Sequence, residues 1–174
     1  VGEELPDQPV HHRAAPDHRR VLVHEEAHRH HAHAVGLERL DALLAEIDGL
    51  IGQGVEYLYF IDEIFLPNRP LLDALVARDL VFGVQTRIDL WKPAMIELLG
   101  HAGCVSIEAG VESLTPEGRD SLDKDCRIGT EKLTELLILA KGCVPFVQAN
   151  LIETPLDDPA TVGAWREEMR GYGI

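Results

Sequence analysis

Residues 81–113 read VFGVQTRIDLWKPAMIELLGHAGCVSIEAGVES and contain two apolar runs on either side of a helical pattern. The runs at 81–86 and 104–109 are short and rich in β-formers, which is typical of strands buried on both faces. Between them, residues 92–100 carry apolar side chains at helical spacing. A strand, a helix and a second strand predict a parallel β-α-β unit, because parallel neighbours need a crossover connection.

The same alternation continues in both directions from this unit. The further predicted elements are a helix over 37–51, a strand over 55–61, helices over 69–78, 116–122 and 130–141, a strand over 145–152 and a helix over 158–170. Four such units predict an α/β fold of parallel strands. Two architectures fit the pattern equally, an open doubly wound sheet or a partial (incomplete) TIM-like β/α barrel.

Composition separates a first segment, 1–36, from the folded part, 37–174. Eight of the nine histidines lie in the first segment, which has few apolar residues at regular spacing. Such a segment buries too little apolar surface to offset its ordering entropy, so we predict that it is mobile. Within it, we predict at most a short helix over Val21–Val35.

Charge excludes some partners. The 174 residues carry 16 Lys+Arg against 30 Asp+Glu, a formal net charge of −14. This balance argues against a nucleic-acid or anionic membrane surface. No apolar run approaches the roughly 20 residues of a membrane span. The three cysteines, Cys104, Cys126 and Cys143, are too widely spaced for a disulfide framework, which indicates a reducing, cytoplasmic compartment.

Polar side chains follow each predicted strand at its carboxyl end, where both architectures place their sites. These residues are Asp62, Glu63, Gln85, Arg87, Glu108, Glu112, Ser113, Gln148 and Asn150. Acids around one arginine suit a ligand with both an ammonium and a carboxylate group. Three of these residues also have a structural alternative: Asp62 as a turn cap, Arg87 in a local ion pair with Asp89, and Glu108 inside the barrel or paired with Arg87. For Trp91 and Trp165 we expect packing.

The runs YFIDEIFLPN, QTRIDLW and MIELLGHAGCVSIEAGVESLTPEGRDSLDKD closely resemble radical S-adenosylmethionine (radical SAM) enzymes. The resemblance is greatest to the branch that carries a cobalamin-binding domain upstream. It covers roughly residues 37–170 and implies the middle of a partial β/α barrel with its site in the mouth. It also implies S-adenosylmethionine and a 4Fe-4S cluster as cofactors, with cobalamin as a further one.

The resemblance assigns roles to individual residues. Asp62-Glu63 lies where the family meets the methionyl ammonium, and carboxylates suit that group through charge-assisted hydrogen bonds. Arg87 lies where a guanidinium would pair with the methionyl carboxylate or steady a neighbouring acid. Glu112-Ser113 matches the segment near the ribose and the methionyl end. Gln148 and Asn150 lie where the adenine or the substrate is expected, although the family's later G-x-I-x-G pattern is not clear in VQANLIETP.

The defining CxxxCxxC loop of this family is missing from the chain. Its three thiolates hold the cluster whose open iron binds S-adenosylmethionine. The position where the loop is expected falls in the His-rich segment, where His24, His28 and His31 have the same spacing. Three neutral imidazoles would not compensate the cluster charge, so these histidines are weak metal candidates. A gene read in a shifted frame is one hypothesis for the composition of this segment.

A second motif uses two of the same histidines. The stretch His24-Glu25-Glu26-Ala27-His28 satisfies HExxH, in which two histidines one helical turn apart bind zinc and the glutamate acts as base. The charged residues Glu26 and Arg29 depart from that family's preferences, and no apolar face would hold such a helix in a core. Zinc proteolysis is therefore the minor alternative.

The sequence predicts an enzyme at the level of the family and an inactive polypeptide at the level of this chain. The alternative is a non-catalytic remnant or interaction module. An incomplete barrel has two open sheet edges, which predict self-association. The small-molecule substrate and the reaction type are not specified by any of these residues.

Overall fold

The structure is a computed structural model that describes residues 20–23, 34–62, 64–126 and 128–174. Its strands are β1 (Arg20–Val23), β2 (Tyr57–Phe60), β3 (Val81–Arg87), β4 (Cys104–Glu112) and β5 (Phe146–Leu151). Its α-helices are α1 (Ala34–Gly52), α2 (Arg69–Val76), α3 (Pro93–His101), α4 (Pro116–Ser121), α5 (Thr130–Cys143) and α6 (Pro159–Gly171), and a 3-10 turn spans Ile88–Leu90.

All described strands form one parallel sheet in the order β1-β2-β3-β4-β5. A doubly wound sheet starts in the middle and reverses direction, whereas a barrel adds its strands consecutively. The consecutive order therefore decides between the two predicted architectures in favour of the partial barrel. The predicted strands and helices after residue 37 are confirmed, with ends that shift by at most three residues.

The predicted short helix over Val21–Val35 is wrong at its first residues, whereas its last two residues do belong to a helix. Arg20–Val23 is a strand, and α1 already begins at Ala34. The sequence Val21-Leu22-Val23 pairs in parallel with residues 58–60 of β2. The edge of β2 thus supplies backbone hydrogen-bond partners to these residues, and this pairing makes them a strand. The division into a segment 1–36 and a part 37–174 stays a prediction.

The strands bury one set of alternating side chains. Leu58, Phe60, Phe82, Val84 and Ile107 are almost fully buried and share one core with apolar residues of the helices. Phe60 packs edge-on against Phe82, with ring centroids 5.5 Å apart. The alternate residues of the same strands lie on the opposite side of the sheet. This second side is the one that carries the polar residues described below.

Within the described ranges, no helix has both the length and the apolar content that crossing a membrane requires.

Candidate functional site

The side of the sheet opposite the core is here called the open face. Its members alternate with the buried residues along β2 to β5. Its polar residues and glycines are Tyr57, Tyr59, Gly83, Gln85, Arg87, Ser106, Glu108, Gly110, Glu112, Gln148 and Asn150, and Val81 and Phe146 are exposed apolar residues of the same face. In a parallel sheet, register partners point to the same side, so the open face brings together most of the predicted site residues.

Two register rows cross the open face. Gln85, Glu108 and Gln148 are direct register partners on β3, β4 and β5. One step nearer the carboxyl ends, Arg87, Gly110 and Asn150 form the next row. Gly110 has no side chain between its two polar neighbours. The upper row is here called the rim.

Two tyrosines of β2 cross β3 to reach β4. The Tyr57 hydroxyl lies 3.4 Å from the Ser106 hydroxyl, and the Tyr59 hydroxyl donates a hydrogen bond to the Glu108 carboxylate. Between these strands stands Gly83, whose missing Cβ would lie within 3 Å of Tyr57, Tyr59 and Ser106. A glycine is required here because any side chain would occupy the path of the tyrosine rings.

The segment after β2 is fixed to the end of β3. The Phe65 amide donates to the Gln85 carbonyl at 2.8 Å. The Thr86 hydroxyl donates to the Phe65 carbonyl at 2.7 Å and accepts from the Trp91 indole at 2.8 Å. These bonds hold half-buried Asp62 at the carboxyl end of β2. Glu63 lies outside the described residues, and its assignment stays a prediction.

Arg87 forms the local ion pair that was one of its two predicted roles. Its Nε and Nη2 atoms donate to both carboxylate oxygens of Asp89, at 3.1 and 2.7 Å. The hydrogen bond to Asp89 raises the pKa of Arg87 and outweighs the lowering by burial. Glu108 lies inside the barrel segment, and its described partner is Tyr59 and not Arg87.

Glu112 ends β4 in a left-handed conformation, with φ of 72°. The pairing with β5 shifts register between Gly110 and Glu112, and such an irregularity re-aims the side chain that follows it. The Glu112 carboxylate forms an ion pair with Lys124, with 3.3 Å between Oε1 and the lysine Nζ. Lys124 was not among the predicted site residues, because it follows a short helix in a stretch with no periodic pattern.

Ser113 is buried, with 1% of its surface exposed. Its hydroxyl donates to Asp157 at 2.8 Å. Asp157 also accepts hydrogen bonds from the Leu114 amide and from the amide and hydroxyl of Thr154. Ser113 thus ties the end of β4 to the segment before α6, and the ligand role predicted for it stays a prediction.

A buried arginine supports the same connection. Arg119, with 1% exposed, donates to the carbonyls of Ser113 at 2.7 Å and Ile128 at 3.3 Å. Thr130 at the start of α5 donates to the Leu114 carbonyl. The polypeptide between β4 and α5 is therefore fixed from within by side-chain donors to its carbonyls.

On β5, Gln148 and Asn150 contact each other. The Gln148 amide donates to the Asn150 side-chain oxygen at 2.7 Å. Their paired amides keep a donor and an acceptor exposed on the open face. The predicted packing of both tryptophans is confirmed, since Trp91 and Trp165 are buried and their indole N–H groups donate to Thr86 and Thr134.

The described residues do not fit an iron–sulfur cluster. The three cysteines of the chain are free thiols on separate elements, at the start of β4, before α5 and at the end of α5. Burial raises the pKa of Cys104 to about 12, which keeps it a neutral thiol. The described ranges hold no group of three or more His, Cys, Asp or Glu that could bind a metal ion. His24, His28 and His31, with the HExxH stretch, lie outside the described residues.

Comparison with known proteins gives a likeness of fold. No protein-family model matches the chain, and no curated protein matches it. Two structures of the radical S-adenosylmethionine methyltransferase TsrM from Kitasatospora setae align with TM-scores of 0.63 and 0.64, both at 21% identity. One has tryptophan substrate and the SAM analogue aza-SAM bound, and the other has cobalamin and a 4Fe-4S cluster bound.

The two alignments cover 76% and 78% of this chain but only 28% and 29% of the TsrM chains. The cobalamin-dependent S-adenosylmethionine radical enzyme OxsB, with aqua-cobalamin bound, aligns with a TM-score of 0.49 at 17% identity, over 67% of this chain and 19% of that one. The chain thus spans less than a third of the length of the TsrM structures. Its described part has the fold of a segment of the radical SAM methyltransferase TsrM.

Proposed function

We propose that this chain is a radical SAM barrel segment whose rim binds S-adenosylmethionine. The observation that carries the proposal is the row of Arg87, Gly110 and Asn150 beside Glu112, at the carboxyl ends of consecutive parallel strands. Carboxylates there suit the methionyl ammonium, and Arg87 suits the carboxylate once it exchanges Asp89 for the ligand. The likeness to TsrM, which has a SAM analogue bound, supports this choice of ligand.

A binding measurement tests the proposal. S-Adenosylhomocysteine, a stable analogue, is titrated into the full chain by calorimetry, beside the variants Arg87→Gln and Glu112→Gln. A charge-assisted hydrogen bond contributes about 1.5–3 kcal/mol, so each variant should weaken binding by about tenfold or more. Arg166→Gln is the matched control, because Arg166 is an exposed arginine of α6 that pairs with Glu153. Equal affinity in all four proteins would contradict the proposal.

We further propose that the chain alone does not cleave S-adenosylmethionine. Reductive cleavage in this enzyme class needs a cluster held by thiolates, and the three cysteines of this chain are dispersed. Anaerobic incubation with iron and sulfide should therefore leave less than one cluster per chain, measured by iron and acid-labile sulfide. Formation of a stoichiometric cluster would contradict this proposal.

The second candidate is a non-catalytic interaction module. In the described chain, β5 pairs only with β4, so its other edge offers unpaired backbone groups. Beside it lies a groove of about 240 Å³ lined in part by Leu151, Trp165 and Met169. Self-association through such an edge would appear as a concentration-dependent mass in sedimentation equilibrium. A charge at exposed Phe146 (Phe146→Lys) should reduce it, and an unchanged monomer mass at all concentrations would contradict it.

For the location of the protein we propose the cytoplasm. Its support is that all three cysteines are free thiols, which is usual in a reducing compartment. Fluorescence microscopy or fractionation of cells that express the full chain would test this proposal. Recovery with secreted or membrane fractions would contradict it.

A further inference from the structure

Glu108 is a half-buried carboxylate in the middle of the open face. It lies one register row below the rim, between Ile107 and Ala109, which are almost fully buried. Its described partner is the hydroxyl of Tyr59, which donates to it. A carboxylate has two oxygens and about four acceptor positions, so one hydrogen bond satisfies only part of its capacity.

The side chains around Glu108 do not fill its remaining acceptor positions, which face the open side of the sheet. Gln85 and Gln148 are its register partners on β3 and β5, and both are exposed amides. No arginine or lysine in the described residues forms an ion pair with Glu108. The cation of the next row, Arg87, pairs through its Nε and Nη2 atoms with Asp89.

The partner of Glu108 is held firmly in place. Tyr59 reaches β4 over Gly83, and its ring would contact a Cβ at that position. Burial, followed by the hydrogen bond to Glu108, raises the pKa of Tyr59 well above its ordinary value. Tyr59 therefore remains a neutral hydroxyl, the form that donates a hydrogen bond to Glu108.

Electrostatics then selects the kind of group that completes this site. A partly desolvated carboxylate without a counter-ion is costly, and a cation that arrives with its own N–H donors relieves that cost. The formal net charge of −14 also favours the approach of a cation over that of an anion. Amide oxygens on either side accept the remaining N–H groups of an ammonium.

We propose that Glu108, flanked by its register partners Gln85 and Gln148, binds the primary ammonium group of a small molecule. The site lies below the rim on the same face, so it is a place for a second molecule beneath the nucleoside. The amine site itself does not depend on the proposed function. Only the role of the amine as co-substrate rests on it, because that role requires that the rim binds S-adenosylmethionine. It gives the substrate a chemical class, a primary amine.

The test uses the folded 174-residue chain labelled with nitrogen-15. Butylammonium chloride is titrated at constant ionic strength, with 1-butanol as the neutral probe of the same size. Saturable amide shifts should occur at 85, 108 and 148 with the amine and not with the alcohol. Glu108→Gln, which keeps the volume and removes the charge, should weaken the amine by at least fivefold. Glu168→Gln, an exposed glutamate of α6, is the matched control and should change nothing.

Equal shifts with amine and alcohol, or unchanged affinity in Glu108→Gln, would overturn the inference. If Glu108→Gln gives a collapsed spectrum, Gln85→Ala and Gln148→Ala take its place, and unchanged affinity in both would overturn it as well. S-Adenosylhomocysteine is titrated in a parallel sample. Amine binding without nucleoside binding would remove the proposed function but leave this site standing, and the reverse result would remove this site alone.

Discussion

The Tyr59 hydroxyl on β2 donates a hydrogen bond to the Glu108 carboxylate on β4, across the intervening strand β3. Side chains on strands that are not adjacent meet only when the strand between them presents no obstacle. Gly83 fulfils that condition, since it has no side chain at the crossing point. One glycine thus determines the geometry of the floor of the open face.

Gly83→Ala tests this relationship. The new methyl group would lie 2.2 Å from the Ser106 hydroxyl and 2.4 Å from the Tyr57 hydroxyl. Such overpacking typically costs about 1–3 kcal/mol. Urea denaturation should therefore show a lower free energy of unfolding, together with loss of the Tyr59 contact in the spectrum.

Gly163→Ala is the matched control for that variant. Gly163 lies inside α6, and a Cβ there would meet nothing within 4 Å. Alanine is the better helix former by about 0.5–1 kcal/mol, so this variant should be more stable than the wild type. If Gly83→Ala were as stable as the wild type, or were stabilised as Gly163→Ala is expected to be, the crossing at Gly83 would not be tight.

Thr86→Val tests the connection between the ends of β2 and β3. Thr86 is 3% exposed, and its hydroxyl joins the Phe65 carbonyl to the Trp91 indole. Valine leaves both groups buried without their partner, at a cost of about 1–3 kcal/mol. Thermal unfolding should shift to lower temperature, and Thr86→Ser, which keeps the hydroxyl, should recover most of the loss. A wild-type melting curve for Thr86→Val would contradict this account.

The pH dependence of stability reports on Asp157. Burial by itself would raise its pKa, but the hydrogen bonds from Thr154, Ser113 and Leu114 outweigh burial and lower the pKa below the ordinary value. A carboxyl with a lowered pKa in the folded state stabilises the fold above its unfolded pKa of about 4, and this contribution is lost as pH falls below that value.

Asp157→Asn should therefore be less stable than the wild type at neutral pH, by about 1 kcal/mol. Asp157 accepts four hydrogen bonds, two at each carboxylate oxygen, and in asparagine one of these oxygens becomes an amide nitrogen that cannot accept them. The difference should shrink as the pH is lowered through about 4 to 3. Urea unfolding at several pH values measures it. Asp79→Asn, at an exposed aspartate, is the control, and a difference that grows with acid would contradict the sign.

The sequence predicts the elements after residue 37 because periodicity and strand-end composition are local properties. Strand β1 escaped prediction because its four residues become a strand only by pairing with β2, which is more than thirty positions away. The bond from Ser113 to Asp157 spans 44 positions, and no local pattern encodes it. Likewise, the polar strand ends predicted a shared site, but the contact of Tyr59 with Glu108 depends on register, which the sequence does not display.

Thiol labelling provides the last test, because it separates the three cysteines by environment. Cys104 is 2% exposed, and burial raises the pKa of its thiol to about 12, so almost no thiolate is present near neutral pH. Cys126 is only half-buried and lies in the segment between α4 and α5. A thiol reagent should therefore modify Cys126 first and Cys104 only when the chain unfolds.

Mass spectrometry of peptides after timed labelling gives the rate at each position, with urea-unfolded protein as the reference in which all three rates converge. Labelling of Cys104 in the folded chain as fast as in the unfolded one would mean that the start of β4 opens freely, and the sheet order that places Glu108 beside Gln85 and Gln148 would lose its support.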